Sequence, residues 1–318
     1  MAFVLPKMTA KEQLRSVSPL MSSLTPTHLD ECRSFVENRE TNVYQFVNPP
    51  IHLNEMRIGD QWIPFEPLKI IKVSDDPPIF VLRNFLPPTE RQEIMNQAIE
   101  RGLEKAQTKT KTIENNNHRV GSSVAWLTTD ESKIGNFMTR LAARLFLHEE
   151  LLDGENEDFE NWIYYPENLQ VVKYDLEGRF ELHHDGLNRT LTVLTYLNGV
   201  AGTWFPFADA PDSDIPTTSL QEKQKILRGK QPGKDGLCII GKGQEGMVID
   251  HRSSLNYDCA PRTVYIQPGD AVVFYNYKQD DEHGKIWNWR SLHCGLPAVK
   301  PKWIATNWFC LQQIEDYT

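Results

Sequence analysis

A chain of 318 residues is long enough for one large domain with an extension, or for two small domains. Its hydrophobic share of 40% and charged share of 24% are typical of a globular protein, and its net charge of -9 argues against a broad nucleic-acid interface. The five cysteines are odd in number and widely spaced, so they predict neither a disulfide framework nor a zinc ribbon.

The sequence also bears on where the protein works. Its N-terminus lacks the basic start and the sustained apolar segment of a signal peptide. No stretch approaches the roughly 18–20 apolar residues that a membrane span needs. We therefore expect a cytoplasmic or nuclear protein without a membrane or nucleic-acid partner, and the sequence leaves its oligomeric state open.

The first half of the chain predicts an extension followed by mixed helix and strand. Residues 1–75 are interpreted as an N-terminal extension of unknown role, and the domain proper is predicted over residues 76–318. A strand at 79–82 leads into a helix that ends at Gly102, with Thr89 and Gln92 spaced as a capping box. A strand at 122–127 and a second, amphipathic helix over 134–145 follow.

From residue 169 the pattern becomes that of a β-protein. Thr, Val, Tyr and Trp are enriched in seven segments, which predict strands at 169–174, 180–184, 191–197, 203–207, 262–266, 271–275 and 303–311. A long polar segment at 208–261 interrupts the series and is interpreted as an insertion that acts as a lid or substrate loop. Many strands after two helices predict a mainly β fold with flanking helices, of the α+β kind.

A triplet on the second of these strands carries the strongest chemical signal. In His183-His184-Asp185, alternation along a strand turns His183 and Asp185 to one face and His184 to the other. His293, far downstream, can complete a set of two imidazoles and one carboxylate. This set suits a non-haem Fe(II) and leaves positions open for a cosubstrate and oxygen.

A lysine beyond the last histidine fits the same chemistry. A 2-oxo dicarboxylic acid that chelates the iron needs a fixed cation for its remote carboxylate. Lys302 lies on the strand that follows His293. We therefore predict Lys302 as the residue that anchors 2-oxoglutarate.

Taken in order, these motifs resemble the 2-oxoglutarate- and Fe(II)-dependent dioxygenases, and within them the prolyl 4-hydroxylase group. The resemblance spans about residues 79–311. It is carried by Tyr174, the triplet His183-His184-Asp185, Arg189-Thr190-Leu191-Thr192, Tyr196-Leu197-Asn198, Gly202-Thr203-Trp204-Phe205-Pro206, Gln267-Pro268-Gly269-Asp270-Ala271, Ser291-Leu292-His293-Cys294-Gly295 and Lys302-Trp303.

The resemblance implies a fold and a set of roles. It implies a double-stranded β-helix, the cupin-like jelly roll, with His183, Asp185 and His293 as iron ligands. It implies Lys302, Tyr174, Tyr196 and Thr203 as residues that bind the cosubstrate, and Arg189 and Trp308 as residues that face a peptide substrate.

The activity it implies is hydroxylation of an unactivated C–H bond, with oxygen as second cosubstrate, succinate and carbon dioxide as coproducts and ascorbate as reductant. The leading substrate is a proline of a protein or peptide, as in a procollagen-proline 4-dioxygenase. Two alternatives stay open: a hydroxylase of a free amino acid or small metabolite, and a jelly-roll protein that binds or senses without turnover. The chain departs from the family pattern at four places. Phe180 replaces a tyrosine frequent in the family, so a hydroxyl is lost. The other three departures concern the substrate side: a Gly-Gly-Glu-Thr pattern is shortened to Ala201-Gly202-Thr203, Cys310 replaces a histidine of some members, and the 208–261 segment is long.

Overall fold

The computed structural model describes most of the chain, with gaps. The described residues are 35–38, 43–46, 55–58, 61–64, 69–106, 119–128, 132–146, 162–186, 188–200, 202–215, 230, 232, 235–241, 262–280 and 284–313.

Two helices and many short strands make up the described part. The helices are α1 (Pro88–Arg101) and α2 (Lys133–Phe146). The strands up to the second helix are β1 (Phe35–Asn38), β2 (Val43–Phe46), β3 (Glu55–Ile58), β4 (Gln61–Pro64), β5 (Lys69–Ser74), β6 (Ile79–Arg83), β7 (Glu104–Lys105) and β8 (Arg119–Leu127). The later strands are β9 (Trp162–Pro166), β10 (Leu169–His183), β11 (Arg189–Tyr196), β12 (Gly202–Phe205), β13 (Leu237–Gly241), β14 (Thr263–Ile266), β15 (Ala271–Tyr275), β16 (Tyr277–Asp280), β17 (Gly284–Trp287), β18 (His293–Gly295) and β19 (Lys302–Gln313).

The strand pairing builds two facing layers that share β10. In the first layer the neighbours run β1-β2-β5-β6-β15-β11-β19-β10, and β8 pairs with the other edge of β10. In the second layer the end of β10 pairs with β18, and the order continues through β12 and β13 to β14. This mainly β architecture with flanking helices is the double-stranded β-helix that the sequence predicted. Neither helix in the described part of the chain is long and apolar enough to cross a membrane.

Alternation along the strands separates two hydrophobic cores. On β11, Leu191 and Val193 face outward and pack with residues of α1 and α2, such as Ile94 and Met138. Leu194 and Tyr196 face the interior between the layers, where they pack with residues of β10, β12, β15 and β19. The period of two therefore gives the sheet one face for the helices and one face for the site.

The bend in β10 aims its last residues into the second layer. The sequence predicted two strands here, at 169–174 and 180–184, and the structure has one long strand with a register shift between Tyr174 and Arg179. A Cβ atom on Gly178 would lie 2.6 Å from the carbonyl oxygen of Gly121 on β8, so glycine is required at this close approach. The bend places His183 opposite His293 on β18.

The start of α1 differs from the sequence expectation. The helix begins at Pro88 with Pro87 as its N-cap, because proline at the first helical position is already set to a helical φ. The hydroxyl of Thr89 donates to Glu90, and the side-chain amide of Gln92 donates to Asn96. The predicted capping box between Thr89 and Gln92 therefore does not form.

The segment 208–261 contributes a strand to the second layer. Strand β13 is buried at all five positions, pairs antiparallel with β12 and pairs parallel with β14. A run of apolar residues from Leu237 to Ile240 was the signal for this strand, and the sequence interpretation missed it. Much of the remaining segment lies outside the described residues, and its role as a lid stays a prediction.

Candidate active site

Two strands bring a histidine–aspartate–histidine group together at one end of the interior. His183 ends β10, His293 begins β18 directly opposite, and Asp185 follows β10 by two residues. The Oδ1 atom of Asp185 lies 3.6 Å from Nε2 of His183 and 3.9 Å from Nε2 of His293. One ligand atom from each residue falls within 4.8 Å of the others, a geometry that could hold a metal ion.

Backbone carbonyls fix the orientation of both imidazoles. Nδ1 of His183 donates to the carbonyl of Glu181 at 2.8 Å, and Nδ1 of His293 donates to that of Ser291 at 2.9 Å. In both rings the proton on Nδ1 leaves Nε2 free to bind a metal. Burial, together with the nearby His183, lowers the pKa of His293 to about 3, so this ring is neutral at physiological pH.

The carboxylate of Asp185 is charged despite its burial. Burial alone would raise its pKa, but His293, His183 and the hydroxyl of Thr192 together hold the pKa well below the usual range of an aspartate. Two neutral imidazole nitrogens and one carboxylate oxygen are the donors that non-haem Fe(II) sites use. The donor set and its orientation therefore fit such an ion.

Aromatic rings enclose the two histidines. The Phe180 ring stacks on His183 with 3.6 Å between ring centres, and the guanidinium of Arg119 lies 4.3 Å from the centre of Phe180. Phe274 and Phe205 pack on His293 with centres 4.8 and 5.4 Å away. This packing limits the movement of the imidazoles and keeps water from much of their surface.

A buried lysine lies further along the interior. Lys302 is 2% exposed, and its ammonium lies 4.6 Å from the centre of the ring of Tyr174, which pairs with it across β10 and β19. Burial lowers the pKa of Lys302 to about 8. Besides burial, the described groups that shift this pKa are the thiol of Cys294 and the guanidinium of Arg119, and no carboxylate is among them. An anionic ligand would give this ammonium the partner that the fold does not.

Two hydroxyl groups face the same region. The hydroxyls of Tyr196 and Thr203 lie 2.5 Å apart and both residues are buried. Burial raises the pKa of Tyr196, so its hydroxyl keeps its proton. Thr203 pairs with Gly295 on β18. A Cβ atom built on Gly295 would lie 3.5 Å from the ammonium nitrogen of Lys302. The hydroxyls and the ammonium therefore both lie near Gly295.

Arg189 and Trp308 contact each other. The guanidinium of Arg189 pairs with both carboxylate oxygens of Glu167, at 2.5 and 2.7 Å, and lies 3.8 Å from the centre of the Trp308 ring. Trp308 is 3% exposed, and Trp126 packs beside it. The thiol of Cys310 donates to Glu167 at 3.4 Å. Glu167 is therefore the centre of a small network that the sequence interpretation did not identify.

Comparison with known proteins gives one curated relative and several solved structures. The chain is 26% identical over 269 residues to the probable prolyl 4-hydroxylase 8 of Arabidopsis thaliana, which covers 79% of this chain and 72% of the relative. The chain is similar to prolyl 4-hydroxylases. This similarity supports a 2-oxoglutarate-dependent dioxygenase as its enzyme class, and no family model matches the chain.

Solved prolyl hydroxylases also match, at low similarity. The viral collagen prolyl hydroxylase of Paramecium Bursaria Chlorella virus-1 matches with a TM-score of 0.42 and 18% identity over 73% of this chain and 94% of that one. A Pseudomonas putida prolyl-4-hydroxylase matches with a TM-score of 0.41 and 14% identity, over 75% and 96% of the two chains. TM-scores below 0.5 are too low to argue function from.

The structure places the residues named for the prolyl hydroxylase resemblance on or beside strands of the two layers. Asp185 follows β10 by two residues, and the strands themselves carry His183, His293, Lys302, Tyr174, Tyr196, Thr203, Arg189 and Trp308. His184 points to the opposite face from its neighbours, as its strand position predicts, and stacks on Trp287 with ring centres 4.5 Å apart.

Three further polar residues, Glu167, Thr192 and Asn276, were given no role by the sequence interpretation. The period of two along β11 places Thr192 on the same face as Tyr196 and could have identified it.

Proposed function

We propose that this protein is an Fe(II)- and 2-oxoglutarate-dependent dioxygenase in which His183, Asp185 and His293 hold the iron. The observation that carries the proposal is the convergence of two free Nε2 atoms and Oδ1 of Asp185 within 4.8 Å of one another. Bound Fe(II) would supply oxygen activation, with 2-oxoglutarate converted to succinate and carbon dioxide, and ascorbate would act as reductant.

The remaining residues bind and orient the cosubstrate. Lys302 would pair with the remote carboxylate of 2-oxoglutarate, because it is a buried ammonium with no carboxylate partner among the described residues. The hydroxyls of Tyr196 and Thr203 would add directed hydrogen bonds to that carboxylate, and Tyr174 would line the pocket. These contacts set the direction of the cosubstrate relative to the metal ligands.

The leading substrate class is a proline residue in a protein or peptide, hydroxylated at C4. The support for this class is the similarity to a probable prolyl 4-hydroxylase. Arg189 and Trp308 would face that substrate, with Glu167 holding the guanidinium over the indole.

A free amino acid or small metabolite is the second candidate substrate. It is favoured by one observation: the guanidinium of Arg189 and the ring of Trp308 are engaged with each other, and Trp308 is 3% exposed. The substrate-facing groups are thus more enclosed than an open peptide groove requires.

The test is succinate formation by the purified chain with Fe(II), ascorbate and 2-oxoglutarate, with and without a panel of proline-containing peptides. Peptide-stimulated succinate together with a peptide that has gained one oxygen atom supports the proline assignment. Succinate that no peptide stimulates supports the second candidate. Asp185→Ala is the control variant, and full succinate production by that variant would contradict the assignment of the metal ligands.

A further inference from the structure

The two oxygens of Asp185 have different surroundings. Oδ1 is the atom that faces Nε2 of both His183 and His293. Oδ2 faces away from them and accepts a hydrogen bond of 2.5 Å from the hydroxyl of Thr192 on β11. Thr192 is 2% exposed, so water does not compete for this contact. Oδ1 is therefore available to a metal ion, whereas Oδ2 is hydrogen-bonded within the protein.

A second residue sets the direction of the Thr192 hydroxyl. The side-chain amide of Asn276 donates to the oxygen of Thr192 at 2.8 Å, and Asn276 is fully buried. An amide N–H can only donate, so the threonine oxygen accepts from Asn276 and its own proton is available for Asp185. The chain of donors therefore runs one way, from Asn276 through Thr192 to Oδ2 of Asp185.

Asn276 also holds the opposite face of the same segment. Its main-chain carbonyl accepts a hydrogen bond from Nε2 of His184 at 2.8 Å, and Nδ1 of His184 accepts from the backbone N–H of Gly186 at 3.1 Å. His184 thereby connects the segment that carries Asp185 to the backbone of Asn276. This arrangement restricts rotation of the Asp185 side chain as well as movement of its backbone.

We propose that Thr192 and Asn276 are positioning residues that restrict Asp185 to metal binding through Oδ1 alone. The inference rests on the proposed metal site and adds the mode of coordination. A carboxylate that binds through one oxygen occupies one position on the metal, whereas a bidentate carboxylate occupies two. Reserving Oδ2 for Thr192 keeps positions open for a chelating cosubstrate and for oxygen. Neither residue touches the metal itself.

The experiment measures Mn²⁺ affinity of the full chain by titration, without 2-oxoglutarate and without turnover. Thr192→Val removes the hydroxyl but keeps the branched shape, and Thr192→Ser is the matched variant that keeps the hydroxyl. Loss of a partner that holds a metal ligand weakens metal binding about 10- to 100-fold. We expect that loss for Thr192→Val, and we expect Thr192→Ser to bind close to the unchanged protein.

Each outcome decides a separate point. Unchanged Mn²⁺ affinity in a folded Thr192→Val protein would overturn the positioning role, while failure of the unchanged protein to bind Mn²⁺ would overturn the proposed metal site instead. If circular dichroism shows that Thr192→Val does not fold, Asn276→Asp replaces it. A carboxylate at position 276 would accept the threonine proton and turn it from Asp185, so the same loss is expected, and retained affinity would overturn the inference.

Discussion

The guanidinium of Arg189 lies 3.8 Å from the centre of the Trp308 ring. Trp308 is buried, Arg189 is half-buried, and the free edge of the guanidinium is bound by Glu167 through two hydrogen bonds. Burial alone would lower the pKa of Arg189, but Glu167 and Asp185 raise it above its ordinary value. The planar guanidinium is therefore fixed in one orientation beside Asp185 of the histidine–aspartate–histidine group.

The first prediction concerns this pair. Arg189→Met keeps much of the side-chain length but leaves the carboxylate of Glu167 partly buried without its cation. We expect a coupling free energy between Arg189 and Glu167 of about 1–3 kcal/mol, since the pair is bidentate and mostly shielded from water. Thermal and urea unfolding of Arg189→Met, Glu167→Gln and the double variant would measure it. Additive effects of the two single changes would show that the pair does not contribute to stability.

The second prediction concerns pH and Lys302. The pKa of Lys302 is lowered to about 8 by burial, so the ammonium is charged below this pH and becomes neutral above it. Because only the charged form attracts a carboxylate, 2-oxoglutarate affinity should be constant below about pH 7 and fall up to about tenfold per pH unit above pH 8. Binding at a series of pH values, followed calorimetrically with Mn²⁺ in place of Fe(II), would measure this dependence.

Lys302→Arg is the control for that experiment. A guanidinium stays protonated over the whole range, so the decline above pH 8 should disappear even if the larger group binds the cosubstrate less tightly. A decline of the same steepness in Lys302→Arg would mean that another group causes it.

The third prediction concerns the hydroxyl of Tyr196. Tyr196→Phe leaves the buried hydroxyl of Thr203 without its partner and removes a donor from the cosubstrate pocket. A lost buried hydrogen bond costs about 1–2 kcal/mol, which corresponds to a rise of about 5- to 30-fold in the KM for 2-oxoglutarate. Steady-state succinate formation at varied 2-oxoglutarate would measure this rise.

A second tyrosine offers a matched comparison. The hydroxyl of Tyr275 donates to the carbonyl of Phe146 at 2.6 Å, on the helix side of the first layer and away from the pocket. Tyr275→Phe should lower the melting temperature and leave the KM for 2-oxoglutarate unchanged. Equal KM values for Tyr196→Phe and the unchanged protein would remove Tyr196 from the cosubstrate site.

The fourth prediction concerns stability at the turn before β15. The carboxylate of Asp270 is 1% exposed and accepts hydrogen bonds from the guanidinium of Arg83 and from the backbone N–H groups of Asn84 and Gln267. Asp270→Asn removes the charge that pairs with Arg83 and should cost about 2–4 kcal/mol of the free energy of unfolding. Denaturant unfolding would measure the cost, and Asp175→Asn, at a mostly exposed position, should change it by less than about 0.5 kcal/mol. Similar losses for the two variants would contradict the assignment.

The sequence could predict the parts of the site that depend on local spacing. The sequence predicted His183 and Asp185 two residues apart on one strand, where alternation would turn them to one face. In the structure β10 ends at His183 and Asp185 follows it, yet the two side chains still lie on the same side. Lys302 and His293 were found because the chemistry of a metal and a dicarboxylate requires them. In the structure His183, Asp185 and His293 lie together, and Lys302 pairs with Tyr174 on β10.

The parts that were missed depend on contacts between distant segments. Glu167 meets Arg189 across 22 residues, and Asn276 meets Thr192 across 84, so no local pattern could connect them. The capping box at Thr89 failed for a different reason, because Pro87 and Pro88 start the helix two residues earlier. Strand β13 was missed because its apolar run lies inside a polar segment that was read as one insertion.

Strand β13 changes how that segment can vary in length. Because the strand lies between β12 and β14, its removal would leave two buried strand edges without hydrogen-bond partners. Differences in length within residues 208–261 are therefore expected outside this strand. An engineered chain that carries new loops on either side should keep Leu237–Gly241 unchanged, and a deletion that crosses it should cost the sheet as well as the loop.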